Sequence, residues 1–259
     1  MIRALTLLLC LAAVPWALFP DPAAARQAAP SPIPPDTGQL LVALADSWEH
    51  PTGTLALFER ATPDSAWQVV ERPFPVCFGR TGLAWGRGLH GADILPPGPV
   101  KREGDGKAPA GVFALGPAFA YEPQELGQVK MPVLRAQDTL ICVDDAASGL
   151  YNTLVNTGVD IGADAGSDLP SHERMRRPDE LYRFGLVVRH NMDPAVPGSG
   201  SCIFLHIWRG PQSPTSGCTA MAQEHMKALI QRLDPAQKPL LVQLPKDEYA
   251  RLRGTWGLP

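Results

Sequence analysis

The stretch Ser201–Met221, SCIFLHIWRGPQSPTSGCTAM, decides how this chain is read, because it sets one histidine and one cysteine on either side of a turn-rich loop. Cys202 to Trp208 is an almost unbroken apolar run with β-branched and aromatic members, the pattern of a buried strand, and it carries His206. Arg209 to Pro214 holds Gly210, Pro211 and Pro214 and reads as a loop. Beyond it Met221, Ala222, Met226, Leu229, Ile230 and Leu233 recur at helical spacing, with Glu224 in the first turn. Cys218 is therefore expected just before a helix, where backbone N–H groups and the helix dipole favour a thiolate and an oxyanion. His206, turned back over the loop, is the expected base. Taken alone, the pairing also suits two structural residues.

Working outward, Leu186–Arg189 reads as a strand and Asn191–Gly200 as the loop that feeds the Cys202 strand. Ser171–Tyr182 is a candidate helix or lid, with Glu173, Arg174, Arg176 and Arg177 available. Leu140–Val143 is a short strand ending in Asp144-Asp145, a pair better explained as solvated turn residues or a cap than as an acid/base couple. Gly79–Gly116, crowded with glycine and proline, is loops and short strands, and Pro109–Leu115 is a turn feeding a strand. Gly104-Asp105-Gly106 lacks the spaced acidic ligands of a calcium loop. Nearer the N-terminus, Leu40–Leu44, Thr54–Phe58, Trp67–Val70 and Val76–Gly79 read as four strands, and no useful helical period precedes residue 120. Pro239–Leu244 is a final strand.

Two ordered motifs carry a resemblance. His206, a Pro/Gly-rich loop and Ser216-Gly217-Cys218-Thr219 resemble the catalytic motif of the L,D-transpeptidase catalytic-domain (YkuD-like) family. Upstream, Lys101 to Phe113, KREGDGKAPAGVF, is similar to that family's Gly-Asp-Gly-Lys-Thr-Pro-x-Gly-x-Phe segment. Thr215, Ser216 and Ala220 stand where the family more commonly has serine, histidine and arginine, which marks a divergent subfamily. The resemblance implies a mostly β fold, a sandwich or barrel-like sheet core with one or two helices, and the strand-rich, helix-poor first half allows it. It also implies acyl transfer on peptidoglycan stem peptides with no cofactor and no metal. Cys218 would be the nucleophile and His206 the base, with the N–H groups of Gly217 and Cys218 holding the oxyanion, and Arg209, Ser216 and Thr219 would contact substrate. An L,D-carboxypeptidase or other amide hydrolase with the same nucleophile, or a wall-binding module without turnover, are the alternatives.

The 259 residues are 45% hydrophobic and 19% charged, with net charge −3, as suits one ordinary domain, and give no global attraction to nucleic acid. Arg3, the Leu/Ala-rich run to Leu18 and Ala23-Ala24-Ala25 read as a signal peptide over residues 1–25, cleaved after Ala25 and leaving no integral membrane segment. Export to the periplasm or cell envelope follows from that reading. Residues 26–38, with Pro30, Pro32, Pro34 and Pro35, read as an extended linker, residues 39–245 as the catalytic domain and 246–259 as a mobile or lightly packed tail. If Cys218 is free, Cys77, Cys142 and Cys202 can form at most one disulfide, for which the predicted core strands favour Cys142 and Cys202; buried free thiols are the alternative. Cys202, His206, Cys218 and His225 make a zinc-like ligand set at spacings unlike any compact zinc module. His190 and Asn191 are either cleft-lining or ordinary strand-end residues, and oligomeric state is left open.

Overall fold

The run QLLVALA at Gln39–Ala45 (β1) is apolar at almost every position because it is buried on both faces: Leu40, Leu41, Val42 and Ala43 are 4% exposed or less. It pairs with β2 (Thr52–Glu59) antiparallel and β13 (Leu240–Pro245) parallel, so it sits in the middle of the main sheet. The computed structural model describes residues 31–91, 97–160 and 169–259. Between β2 and β13 the chain forms β3 (Gln68–Cys77), β4 (Leu83–Trp85), β5 (Ala108–Ala120), β6 (Val133–Arg135), β7 (Leu140–Val143), β8 (Leu154–Asn156) and β9 (His172–Arg174). Then come β10 (Phe184–Val188), β11 (Phe204–Ile207), β12 (Thr219–Met221) and the helix α1 (Gln223–Arg232); α2 (Lys246–Trp256) follows β13.

Eight strands run in the order β10-β11-β12-β3-β2-β1-β13-β5, and β5 pairs back onto β10, which closes the sheet into a barrel. β4 and β6 flank β5, while β8-β7-β9 form a separate three-stranded sheet. The mostly β, barrel-like fold with two helices is the expected one. Its core gathers Phe74, Phe113, Phe184 and Leu205 from the barrel with Met226, Leu229 and Ile230 of α1.

Several expectations are corrected. The third and fourth predicted strands are one strand, β3, which contains Pro73 and Pro75. Its pairing jumps from Leu55↔Phe74 to Leu57↔Glu71, so the irregularity falls at Arg72-Pro73, where a proline leaves the ladder short of a donor. Ser171–Tyr182 is not a helix but the short strand β9 followed by turns. Cys202 lies ahead of β11, with φ +53°. The tail is ordered: α2 buries Leu252, Leu258 is buried beyond it, and Trp67 Nε1 donates to Gly257 O at 2.9 Å. The linker also packs from residue 31 onward, since Ile33 joins the core and Ser31 Oγ donates to Trp256 O at 2.7 Å. The signal-peptide reading lies outside the described residues, and among those described no helix is long and apolar enough to cross a membrane.

Candidate active site

β11 and β12 run parallel with Leu205 opposite Thr219 and His206 opposite Ala220. Cys218, two residues before Ala220, shares the face that carries His206, and all three line one open cavity of about 800 Å³. By strand geometry the two Cβ atoms lie about 8 Å apart on the diagonal, and in this structure the imidazole bonds to Ile207 O and the thiol to Cys202 O and Phe204 N, not to each other. Cys218 does not precede a helix. β12 intervenes, α1 begins only at Gln223, and the expected help from a helix N-terminus is absent. The apolar run after Cys218 is read as helix too early because Thr219–Met221 is the barrel strand between β11 and β3.

The surroundings oppose charge on both residues. Burial pushes the Cys218 thiol up to about 12, with the Glu173 carboxylate adding to the rise and the hydrogen bond from the Phe204 N–H and the nearby Tyr182 hydroxyl opposing it. The thiol donates to Cys202 O (3.6 Å) and accepts from Phe204 N (3.3 Å), so its resting state is neutral and tied to the β11 backbone. Burial pulls His206 down to about 4, with a hydrogen bond to Ile207 O working against it. Nδ1–H donates to that carbonyl at 2.8 Å, leaving Nε2 as the unprotonated nitrogen. A neutral imidazole with a fixed tautomer is a general base.

The two sequence motifs meet at the nucleophile. A Cβ on Gly217 would stand 3.2 Å from Lys107 O, so the glycine lets the cysteine loop lie against the Gly-Asp-Gly-Lys loop. That second loop closes on Asp105, which accepts from Lys101 Nζ (2.5 Å), Arg102 N (2.8 Å) and Lys107 N (2.9 Å). Thr215 N donates to Phe78 O and Arg80 N to Thr215 O, fastening the loop to the end of β3. Gly217 N–H is donated to Thr215 Oγ1 at 3.1 Å, so of the two expected oxyanion donors this one is already engaged.

The other expected contacts separate. Arg209 and Ser216 line the cavity, Arg209 with its guanidinium 3.0 Å from Asp179. Thr219 does not: it is buried and its hydroxyl donates to Gln243 Oε1 at 2.7 Å, a link within the barrel. Cys202 is bonded to Cys142, which removes it from any zinc set, and His225 stacks on Phe74 at 4.0 Å. Cys77 and Cys218 are free. His190 and Asn191 are buried among backbone partners and belong to the scaffold.

The opposite wall comes from the small sheet and was not legible as such. Cys142 pairs with Glu173 across β7 and β9, so the face stapled to Cys202 also carries Glu173. Tyr182 Oη donates to Glu173 Oε1, and the Tyr182 ring meets the His206 ring edge-on at 5.0 Å. Asp145 accepts from Ala147 N as a turn residue should, but Asp144 lines the cavity, and its Oδ1 is buried without a partner among the described residues. Nothing in the spacing of Tyr182 announced its place beside the His206 ring and in the cluster that holds Cys218.

The sequence model of the L,D-transpeptidase catalytic domain (YkuD) matches residues 55–242, which includes both motifs and runs from within β2 to within β13. Searches of curated proteins and of solved structures return no match.

Proposed function

Because the chain belongs to the L,D-transpeptidase catalytic-domain family, we propose that it performs acyl transfer on peptidoglycan stem peptides through a Cys218 acyl-enzyme. The observation that carries the reading is the shared face: Cys218 and a neutral, tautomer-fixed His206 open into one cavity. Cys218 Sγ attacks the carbonyl on the L-centre of a diaminopimelate-to-D-alanine bond as His206 Nε2 takes the thiol proton. A thiol this reluctant to ionise needs that transfer to accompany attack. The oxyanion is met by the Cys218 N–H, joined by Gly217 N–H once Thr215 releases it. His206 returns the proton to the departing amino group, D-alanine leaves, and an acceptor amine then attacks the thioester. Export to the cell envelope is part of the proposal, and the Cys142–Cys202 disulfide supports it, since such bonds persist in oxidising compartments.

The test is mass spectrometry of the purified protein after incubation with a carbapenem. One covalent adduct on the peptide containing Cys218 is expected, with none in Cys218→Ala and its formation slowed at least ~100-fold in His206→Ala, the usual scale for loss of a general base. An unmodified wild-type protein, or an adduct placed on Cys77, defeats the reading. Supplying a tetrapeptide stem with and without a second stem as acceptor then separates transfer, which yields a cross-linked dimer, from hydrolysis, which yields a tripeptide.

A further inference from the structure

Tyr182 is 3% exposed and has one hydroxyl proton, yet two acceptors surround it: the Glu173 carboxylate, which takes the hydrogen bond in this structure, and the Cys218 sulfur beside it. The groups facing this cluster come from every neighbouring element. Arg177 Nη1 lies 3.7 Å from Glu173 Oε1 and its guanidinium carbon 5.1 Å from the Tyr182 ring, Asp144 approaches from the end of β7, Lys101 from the Gly-Asp-Gly loop, and His206 from β11. Asp179 holds Arg177 from behind through two hydrogen bonds. Two carboxylates, Glu173 and Asp144, thus line the wall across from the nucleophile.

Resting on the reading of Cys218 as nucleophile, we propose that Glu173 and Tyr182 are positioning residues that keep Cys218 a thiol in the empty site and release it when a cation neutralises Glu173. While Glu173 is charged, it repels a thiolate and commits the Tyr182 proton to itself. When the ammonium group of a bound diaminopimelate side chain pairs with Glu173, the repulsion is cancelled and the Tyr182 O–H turns to donate to sulfur. The thiol proton still goes to His206. No covalent bond changes in the switch itself: one hydrogen bond is exchanged for another, and a charge on the wall is paired. The direction agrees with the raised thiol, to which burial contributes most and Glu173 next. The arrangement ties nucleophile activation to a substrate bearing an amine at the right distance, and spares the free site from adventitious alkylation.

The experiment measures the rate of Cys218 alkylation by iodoacetamide from pH 6 to 10 in a Cys77→Ser background, with Glu173→Gln, Tyr182→Phe and the double variant beside it. Glu173→Gln is expected to move the profile down by at least one pH unit, at least ~10-fold faster alkylation below the midpoint. Adding Tyr182→Phe should reverse most of that gain, because the freed donor is then missing. A Glu173→Gln profile that is unchanged or moves upward overturns the proposal, as does a double variant identical to Glu173→Gln. Thermal melting of each variant checks folding; if Glu173→Gln does not fold, the wild type is titrated with diaminopimelate, which should speed alkylation, whereas alanine should not, and equal effects again overturn it. Alkylation needs no turnover, so a failed carbapenem reaction in the wild type condemns the acyl-transfer reading separately from this one.

Discussion

At the scale of single residues, Arg209 offers the sharpest question about substrate recognition. It opens the loop between β11 and the nucleophile, its side chain is 67% exposed, and Asp179 holds it at 3.0 Å. Asp179 is pulled down to about 2, chiefly by its hydrogen bonds from Arg177, so it stays charged without Arg209. The exposed Arg209–Asp179 pair contributes under ~1 kcal/mol, and the guanidinium is therefore cheaply transferred to a substrate carboxylate. Arg209→Ala should raise the apparent constant for a stem peptide about tenfold, the loss of one charge-assisted contact, while carbapenem acylation changes less than about twofold. Kinetics of both reactions on the same variant decide it. Equal losses would assign Arg209 to loop structure, and no loss would turn attention to Arg174 and Arg177, which line the same cavity.

At the scale of elements, the outcome turns on which segments the barrel recruits. The α2 segment has its apolar residues too far apart to advertise a helix, yet it packs on β13 and β1, and its Leu252 joins the core. Leu252→Ala should cost about 2–3 kcal/mol, read as a lower denaturant midpoint with an unchanged slope. A loss below about 0.5 kcal/mol would return α2 to the status of a loose tail. The strands β1, β2, β5, β7, β10 and β13 were legible because their apolar runs are bounded by glycine, proline or charge. His206 and Cys218 were legible because the residue types and loop are distinctive. β12 was not, since its three residues join a ladder whose partners, Cys77 and His206, are remote in sequence, and an apolar stretch beside a helical period reads as that helix. The place of Glu173 beside the nucleophile was hidden for the same reason: it is set by the β7–β9 pairing and by the Cys142–Cys202 bond, whose ends are 60 residues apart, and Tyr182 follows through its hydrogen bond to Glu173. Closing that loop is worth roughly 4 kcal/mol in the chain-entropy account. Cys142→Ser/Cys202→Ser in the Cys77→Ser background, which leaves no new free thiol from the broken bridge, should therefore lower stability and, by loosening the wall, shift the Cys218 alkylation profile as Glu173→Gln does; a profile that stays put while stability falls would confine the bridge to a stabilising role.

At the scale of the whole molecule, two buried histidines, His190 and His206, and the half-buried His90 set how the fold answers acid. His190 accepts from Arg87 N at Nδ1 (3.2 Å) and reaches Ser199 O with Nε2 (3.0 Å). His90 repeats the arrangement, accepting from Val112 N (3.0 Å) and reaching Gly86 O (3.0 Å). In each case the neutral ring satisfies one amide and one carbonyl, and a second proton would leave the amide facing a donor. Burial accordingly pulls His190 down to about 3, His206 to about 4, and His90 in the same direction. Unfolded histidines titrate near 6.5. Above that pH neither state binds the proton and nothing is lost; as pH falls from about 6.5 toward 4, the unfolded chain gains protons that the folded one refuses, so stability falls. Glu173, raised mainly by burial, runs the other way and offsets part of that loss. His190 and His206, both still neutral in the folded chain near pH 5 where unfolded histidines are charged, give together a slope of roughly 3 kcal/mol per pH unit before that offset. Unfolding by denaturant at pH 7, 6 and 5 measures it. The double variant His90→Gln/His190→Gln keeps an acceptor and a donor at each site without a titrating ring, so its loss between pH 6 and 5 should fall to about half the wild type's or less, His206 carrying the remainder; a slope equal to the wild type's would mean that the acid sensitivity resides elsewhere and that these two rings hold the barrel regardless of their charge.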